Sequence, residues 1–133
     1  MTIPTSILRK SLGASADVAR LWFESRTEPV ARASFEAKGK LGDDGSGAVY
    51  AYFDRGGRAL YVGLTSRKVK ARLHDQTSPH KQKAWWPEWT TMRFVQLGDD
   101  MDRQVLEFLL ILSYSPQHNE KPKAKNLDEL LPL

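Results

Sequence analysis

Glu107 lies in "DRQVLEFLLILSYSP" and is the only polar residue between Val105 and Leu112. A helix this apolar is expected to be buried, and a buried carboxylate costs several kcal/mol unless a cation, a partner or a proton compensates it. Two compensations are open. Arg103, four residues earlier, can form a helix ion pair. Alternatively, a divalent cation can be held by one carboxylate with water and a substrate phosphate completing its shell, as Mg²⁺ usually is.

A second stretch points to phosphate. In "LYVGLTSRKVKARLHDQ", residues 60–76, an apolar strand turns at Gly63 into four Lys or Arg within six positions. Thr65 or Ser66 can cap a helix running to about Gln76, anchored by Val69 and Leu73. Cations in a first helical turn oppose the helix dipole, and a bound anion relieves that conflict. From Ser66 to Arg93 the chain carries seven basic residues (Arg67, Lys68, Lys70, Arg72, Lys81, Lys83, Arg93) against Asp75 and Glu88. With a formal net charge of +4 for the whole chain, the remainder is close to neutral. Such a focused patch suits nucleic acid, with Arg67, Lys68, Lys70, Lys81 and Lys83 as its phosphate contacts; Lys81 and Lys83 serve equally as solvated charge.

Other groups are less specific. His74, His80 and His118 lack metal-ligand spacing. Trp85, Trp86 and Trp89 can stack on unpaired bases or pack against a sheet, and packing is the commoner use of aromatics in a small core. There is no cysteine, so disulfides, thiolate zinc sites and cysteine nucleophiles are excluded.

These residues need elements to position them. At 133 residues, 41% hydrophobic and 27% charged, the chain is expected to build a single compact domain. Residues 1–46 read as a mostly helical N-terminal extension ending in the linker "LGDDGSG". Ser15 or Asp17 is expected to cap a helix with Val18, Leu21 and Trp22 on one face, and Pro29 to stop it. "AVYAYFDRGGRALYVG" reads as a hairpin about Asp54–Gly57. An even-numbered turn gives paired positions an odd sum such as 111. That puts Tyr50 opposite or diagonal to Tyr61 on one face, and Val49, Ala51, Phe53, Leu60 and Val62 on the other. A third strand is expected over 90–97, and a helix capped near Asp99 or Asp100 ends before Pro116. The tail, 121–133, is polar until a short apolar end. No continuous apolar h-region opens the chain, and no window is long enough to span a membrane, so a soluble cytoplasmic protein is expected.

With the elements in place, "AVY" (48–50), "YVG" (61–63), Arg72 in "KARL", Glu107 in its apolar helix and Asn119 in "SPQHN" resemble, in order and spacing, the motifs of the GIY-YIG endonuclease family. The resemblance covers residues 48–119. It implies an α+β fold, a small three-stranded antiparallel sheet flanked by helices, over a core of 47–120, and hydrolysis of DNA phosphodiesters with one divalent metal, Mg²⁺ or Mn²⁺. It implies Tyr50 as general base, Tyr61 as a hydrogen-bonding partner of water or substrate, and Gly63 as a point of close approach. Arg72 would face the scissile phosphate, Glu107 would hold the metal, and Asn119 would brace the site. Ala48 stands where the family has glycine, and valine replaces isoleucine in both motifs. Gln76 stands where many relatives have histidine or tyrosine, leaving His74 and His80 as candidates for that role.

The chemistry is consistent with such roles. Phosphodiester hydrolysis needs a positioned water, a proton acceptor and positive charge where oxygen charge develops. A tyrosine, with an ordinary pKa of about 10, accepts a proton at neutral pH only beside cations, and an arginine fork stays charged and grips phosphate with two hydrogen bonds. A DNA-binding module of the same fold without turnover, and an interaction domain whose basic window is only surface, are the alternatives.

Overall fold

The computed structural model describes residues 4–36, 47–66 and 79–119. Within them a four-stranded antiparallel sheet in the order β1-β4-β2-β3 is formed by β1 (Val30–Ala31), β2 (Ala48–Phe53), β3 (Ala59–Thr65) and β4 (Thr91–Gln96). Helices α1 (Thr5–Arg26) and α3 (Asp100–Tyr114) pack on each other, and α3 lies on β3 and β2; α2 (Arg32–Glu36) is a single short turn. The α+β class is as expected, but the sheet has four strands rather than three. The added strand, β1, is two residues at the edge of β4 (Val30 opposite Met92), too short to leave an alternating pattern.

The hairpin forms because Asp54 organises its own turn. Its carboxylate accepts from the backbone N–H groups of Gly56 and Arg58, each at 2.9 Å, an Asx turn. Gly57 takes φ +82°, which glycine adopts at little cost. Hydrogen bonds, chiefly from the Arg58 backbone, hold the Asp54 carboxyl below its usual range.

Pairing through most of the hairpin runs to an odd sum: Tyr50 lies opposite Gly63 and Tyr52 opposite Tyr61. Tyr50, Tyr52 and Tyr61 therefore share a face, as the alternation requires. Two details differ from expectation. The strand does not end at Gly63 but continues to Thr65. And a bulge between Tyr52 and Phe53 leaves Leu60 unpaired, so Leu60 joins the tyrosines while Ala59 faces the aliphatic side. One extra residue shifts the alternation locally.

On the aliphatic side, Val49, Ala51, Phe53, Ala59 and Val62 meet Phe23 of α1 and Leu106, Leu110 and Ile111 of α3. α3 starts on Asp99, whose side chain accepts from Asp102 N–H at 2.9 Å, and stops at Ser115 in the left-handed conformation. It is not buried all round, since Val105 and Phe108 are exposed. α1 begins at Thr5, with Pro4 at its cap. Ser15 and Asp17 are therefore interior, and Asp17 accepts a bond from Ser113 Oγ. Val18, Leu21 and Trp22 point outward while Ala16 and Phe23 are buried, because the adjacent Phe23 occupies the core-facing side. Arg93 of β4 donates to the carbonyls of Thr27 and Glu24 where α1 ends, a cation on carbonyls that a helix end leaves open.

Candidate active site on the aromatic face

Tyr50, Tyr61 and His80 meet on the face of the sheet opposite α3. The approach depends on Gly63. A Cβ built there would lie 2.5 Å from Tyr50 Oη and 2.8 Å from Tyr61 Cε1, so the Tyr50 side chain crosses its cross-strand partner only because that partner has no side chain. The two tyrosine rings stack at 6.2 Å and 27°.

His80 comes from a 3₁₀ turn over Pro79–Gln82. Its ring lies 5.1 Å from Tyr61 and 5.7 Å from Tyr50. Its Nε2 stands 2.7 Å from Tyr50 Oη, and the tautomer of the imidazole sets which of the two donates. Tyr50 and His80 are buried, at 1% and 3% exposed, whereas Tyr61 is half-buried.

Tryptophans wall the cluster. Trp85 stacks on Tyr61 at 5.3 Å and 13°; Trp85 and Trp89 lie about Tyr52 at 5.0 and 4.9 Å. Both are buried, so packing is their use here; Trp86 is half-buried. Arg32 sits over Trp86 and Trp89 and donates to both of their carbonyls. These contacts of Trp85 and Arg32 were not legible beforehand; the density of tryptophan just after His80 was the available signal.

Asn119 is tied to the same strand. Its side-chain oxygen accepts from Val62 N–H at 3.0 Å and its amide donates to Val62 C=O at 2.8 Å. It thus satisfies both backbone groups of the residue between Tyr61 and Gly63.

Glu107 comes from the other layer. It is 7% exposed on α3, whose apolar neighbours Leu106, Leu110 and Ile111 pack on the aliphatic face. One turn earlier, Arg103 donates to Leu97 C=O at 2.6 Å and to the Asp100 carboxylate at 3.1 Å. A Cβ at Gly47, which takes φ +90°, would lie 2.9 Å from Arg103 Nη1 and 2.8 Å from Thr65 C=O. The Arg103 guanidinium therefore marks the Gly47–Thr65–Leu97 end of the sheet, and Glu107 follows it along the buried side of α3.

The structure thus gathers Tyr50, Tyr61, Gly63 and His80, with Asn119 on the intervening backbone; Glu107 is contributed by α3, whose apolar residues pack on the other face. Lys83 is half-buried and its N–H bonds His80 C=O. Arg67, Lys68, Lys70, Arg72, His74 and the helix expected to follow Ser66 lie outside the described residues, as do the side chain of Lys81, the linker up to Ser46 and the tail beyond Asn119. Among the described residues no group of three or more His, Asp or Glu is placed to hold a metal ion, and no helix is long and apolar enough to cross a membrane. No protein-family model, no curated protein and no solved structure matches the chain.

Proposed function

We propose that the protein is a GIY-YIG-type endonuclease that hydrolyses DNA phosphodiester bonds with one divalent metal, Mg²⁺ or Mn²⁺. The observation that carries this reading is the Tyr50–Gly63–Tyr61 arrangement: two tyrosines stacked across a glycine that alone makes room for them, with an imidazole nitrogen at 2.7 Å from one hydroxyl. A hydroxyl beside a titratable nitrogen is a proton-transfer pair.

In this mechanism Tyr50 Oη passes its own proton to the lone pair of His80 Nε2 as it takes the proton of the attacking water. Half-buried Tyr61 orients water or the substrate phosphate. Arg72 provides the fixed cation for charge growing on the phosphoryl oxygens. Arg67, Lys68, Lys70, Lys81 and Lys83 track the DNA backbone, and Asn119 fixes the strand between Tyr61 and Gly63. A buried, hard carboxylate suits Mg²⁺, and Glu107 would hold the ion with water and phosphate oxygens completing the shell. Bound there, the ion would supply Lewis-acid stabilisation of phosphoryl oxygen.

One observation favours a second reading, a DNA-binding module of the same fold without turnover: Tyr50 is 1% exposed, and a hydroxyl so enclosed meets water only after the site opens. Nicking of supercoiled plasmid in Mg²⁺ or Mn²⁺ separates the two. The nuclease reading expects cleavage that is lost with a chelator and in Glu107→Gln, whose DNA binding persists. Binding without cleavage by folded protein selects the module. Affinity should also fall steeply with salt, through counterion release; a flat response removes both readings.

A further inference from the structure

α1 has two apolar sides, and the fold uses one. Leu12, Ala16, Ala19 and Phe23 turn toward the body of the protein. On the opposite side Ile7, Ser11, Ala14, Val18 and Leu21 follow one another in steps of four and three, and all are exposed. α3 repeats the pattern: Met101, Val105, Phe108 and Leu112 are spaced by four, three and four, the first three exposed and the last half-buried. A mostly apolar groove of about 280 Å³, lined by Trp22 from α1 and Val105 and Leu109 from α3, lies between the two helices.

Alternating steps of four and three keep side chains on a seam of 3.5-residue period, the pattern that receives another helix by knobs-into-holes packing. Side chains as exposed as Val18 (65%), Leu21 (68%) and Met101 (65%), taken with the rest of the two seams, present on the order of 600 Å² of apolar surface. That matches the largest patch of an ordinary monomer and approaches the ~800 Å² that each partner gives to a standard interface.

We propose that this α1–α3 face is a self-association surface, on which a second copy of the chain packs its own α1 and α3 about a two-fold axis. Area selects this occupant, since two such patches facing each other bury on the order of 1,200 Å², the lower end of a stable specific interface. At 1.5 Å per residue the α1 seam runs about 21 Å and the α3 seam about 16 Å. A second copy brings two seams of matching length, and an isologous interface requires only that one patch complement itself.

Sedimentation equilibrium on the full chain tests this without reference to any nuclease activity. The wild type should have twice the 15.1 kDa chain mass at concentrations up to about 100 µM. Val18→Arg and Met101→Lys alter two of the most exposed seam residues, so both should stay folded by circular dichroism. Each should weaken association by about 100-fold or more by burying a charge. A wild type that stays monomeric overturns the proposal and leaves the face to the tail or to another protein. A dimer that survives both substitutions in folded protein overturns it too, by placing the interface elsewhere.

Discussion

On one side of β2, Ala48, Tyr50 and Tyr52 look into tryptophan rings and His80; on the other, Val49, Ala51 and Phe53 look into Phe23, Leu106 and Leu110. The residues alternate along a single strand, yet the two faces hold different kinds of interaction. The aromatic face carries hydroxyl and ring-nitrogen groups at hydrogen-bonding distance inside a ring cluster, so its geometry is directional. The aliphatic face is mainly hydrocarbon packing, joined by the buried Arg103 and Glu107 of α3, with further polar contacts at the margins, such as Tyr114 with Glu24 and Arg93 with the end of α1. One face holds a hydroxyl and a ring nitrogen at hydrogen-bonding distance, and the other packs the sheet against its helices.

That contrast is broken most severely from the aliphatic side. Leu110 is fully buried on α3; Leu110→Ala should cost about 2–5 kcal/mol by removing buried methyl groups and leaving a cavity, measured by urea unfolding. If the faces are energetically separate, the folded fraction should retain its Tyr50–His80 contact, seen as unchanged His80 ring signals by NMR. A smaller loss, of about 1–3 kcal/mol, is expected for Gly63→Ala, where the new Cβ meets Tyr50 Oη at 2.5 Å. This change should also displace the tyrosine hydroxyl and shift those same His80 ring signals. A Gly63→Ala protein with wild-type stability and an unmoved His80 signal would show that the glycine is not what admits Tyr50.

The smallest effect belongs to the margin. Tyr114 Oη donates to Glu24 Oε2 at 2.5 Å, fastening α3 to α1. Burial first, and then the bond to Glu24, raise the tyrosine's pKa; its contribution is therefore full below about pH 10, the ordinary tyrosine value, and is lost as pH rises beyond it. Burial pushes the Glu24 carboxyl up, but the bonds from Tyr114 and Arg20 outweigh it and leave it lowered. Its contribution is present above the ordinary carboxylate range and disappears as pH falls through the lowered value. Tyr114→Phe should cost about 1 kcal/mol, a charge-assisted bond discounted for partial exposure, and should flatten the alkaline limb of a stability–pH profile. A profile identical to wild type would show that the pair fastens nothing.

Period-2 alternation made the faces of β2 legible from the sequence, and with them the shared side of Tyr50, Tyr52 and Tyr61. Leu60 escaped because a bulge is a register event that leaves no compositional mark. The start of α1 escaped because Ser15 and Asp17 have the chemistry of a cap, while the helix in fact begins behind Pro4, eleven residues before Ser15. The outward face of Val18, Leu21 and Trp22 has the spacing of a core face, and periodicity cannot tell which of two apolar sides the core will take. For the candidate site, the residue types were visible in the sequence. The Tyr50–His80 distance was not, because it joins elements thirty residues apart.

The short run after α3 has a consequence for how this sheet meets other chains. Gln117 and His118 donate their N–H groups to the carbonyls of Ala59 and Leu60, and Asn119 takes both backbone groups of Val62. β3 is one border of the sheet, and these three residues lie along it like a hem, occupying groups on which a foreign strand would template. At the other border β1 offers only two residues. A sheet rich in tyrosine and valine is the composition that invites amyloid-like stacking, and the Gln117–Asn119 run stands against such growth along β3.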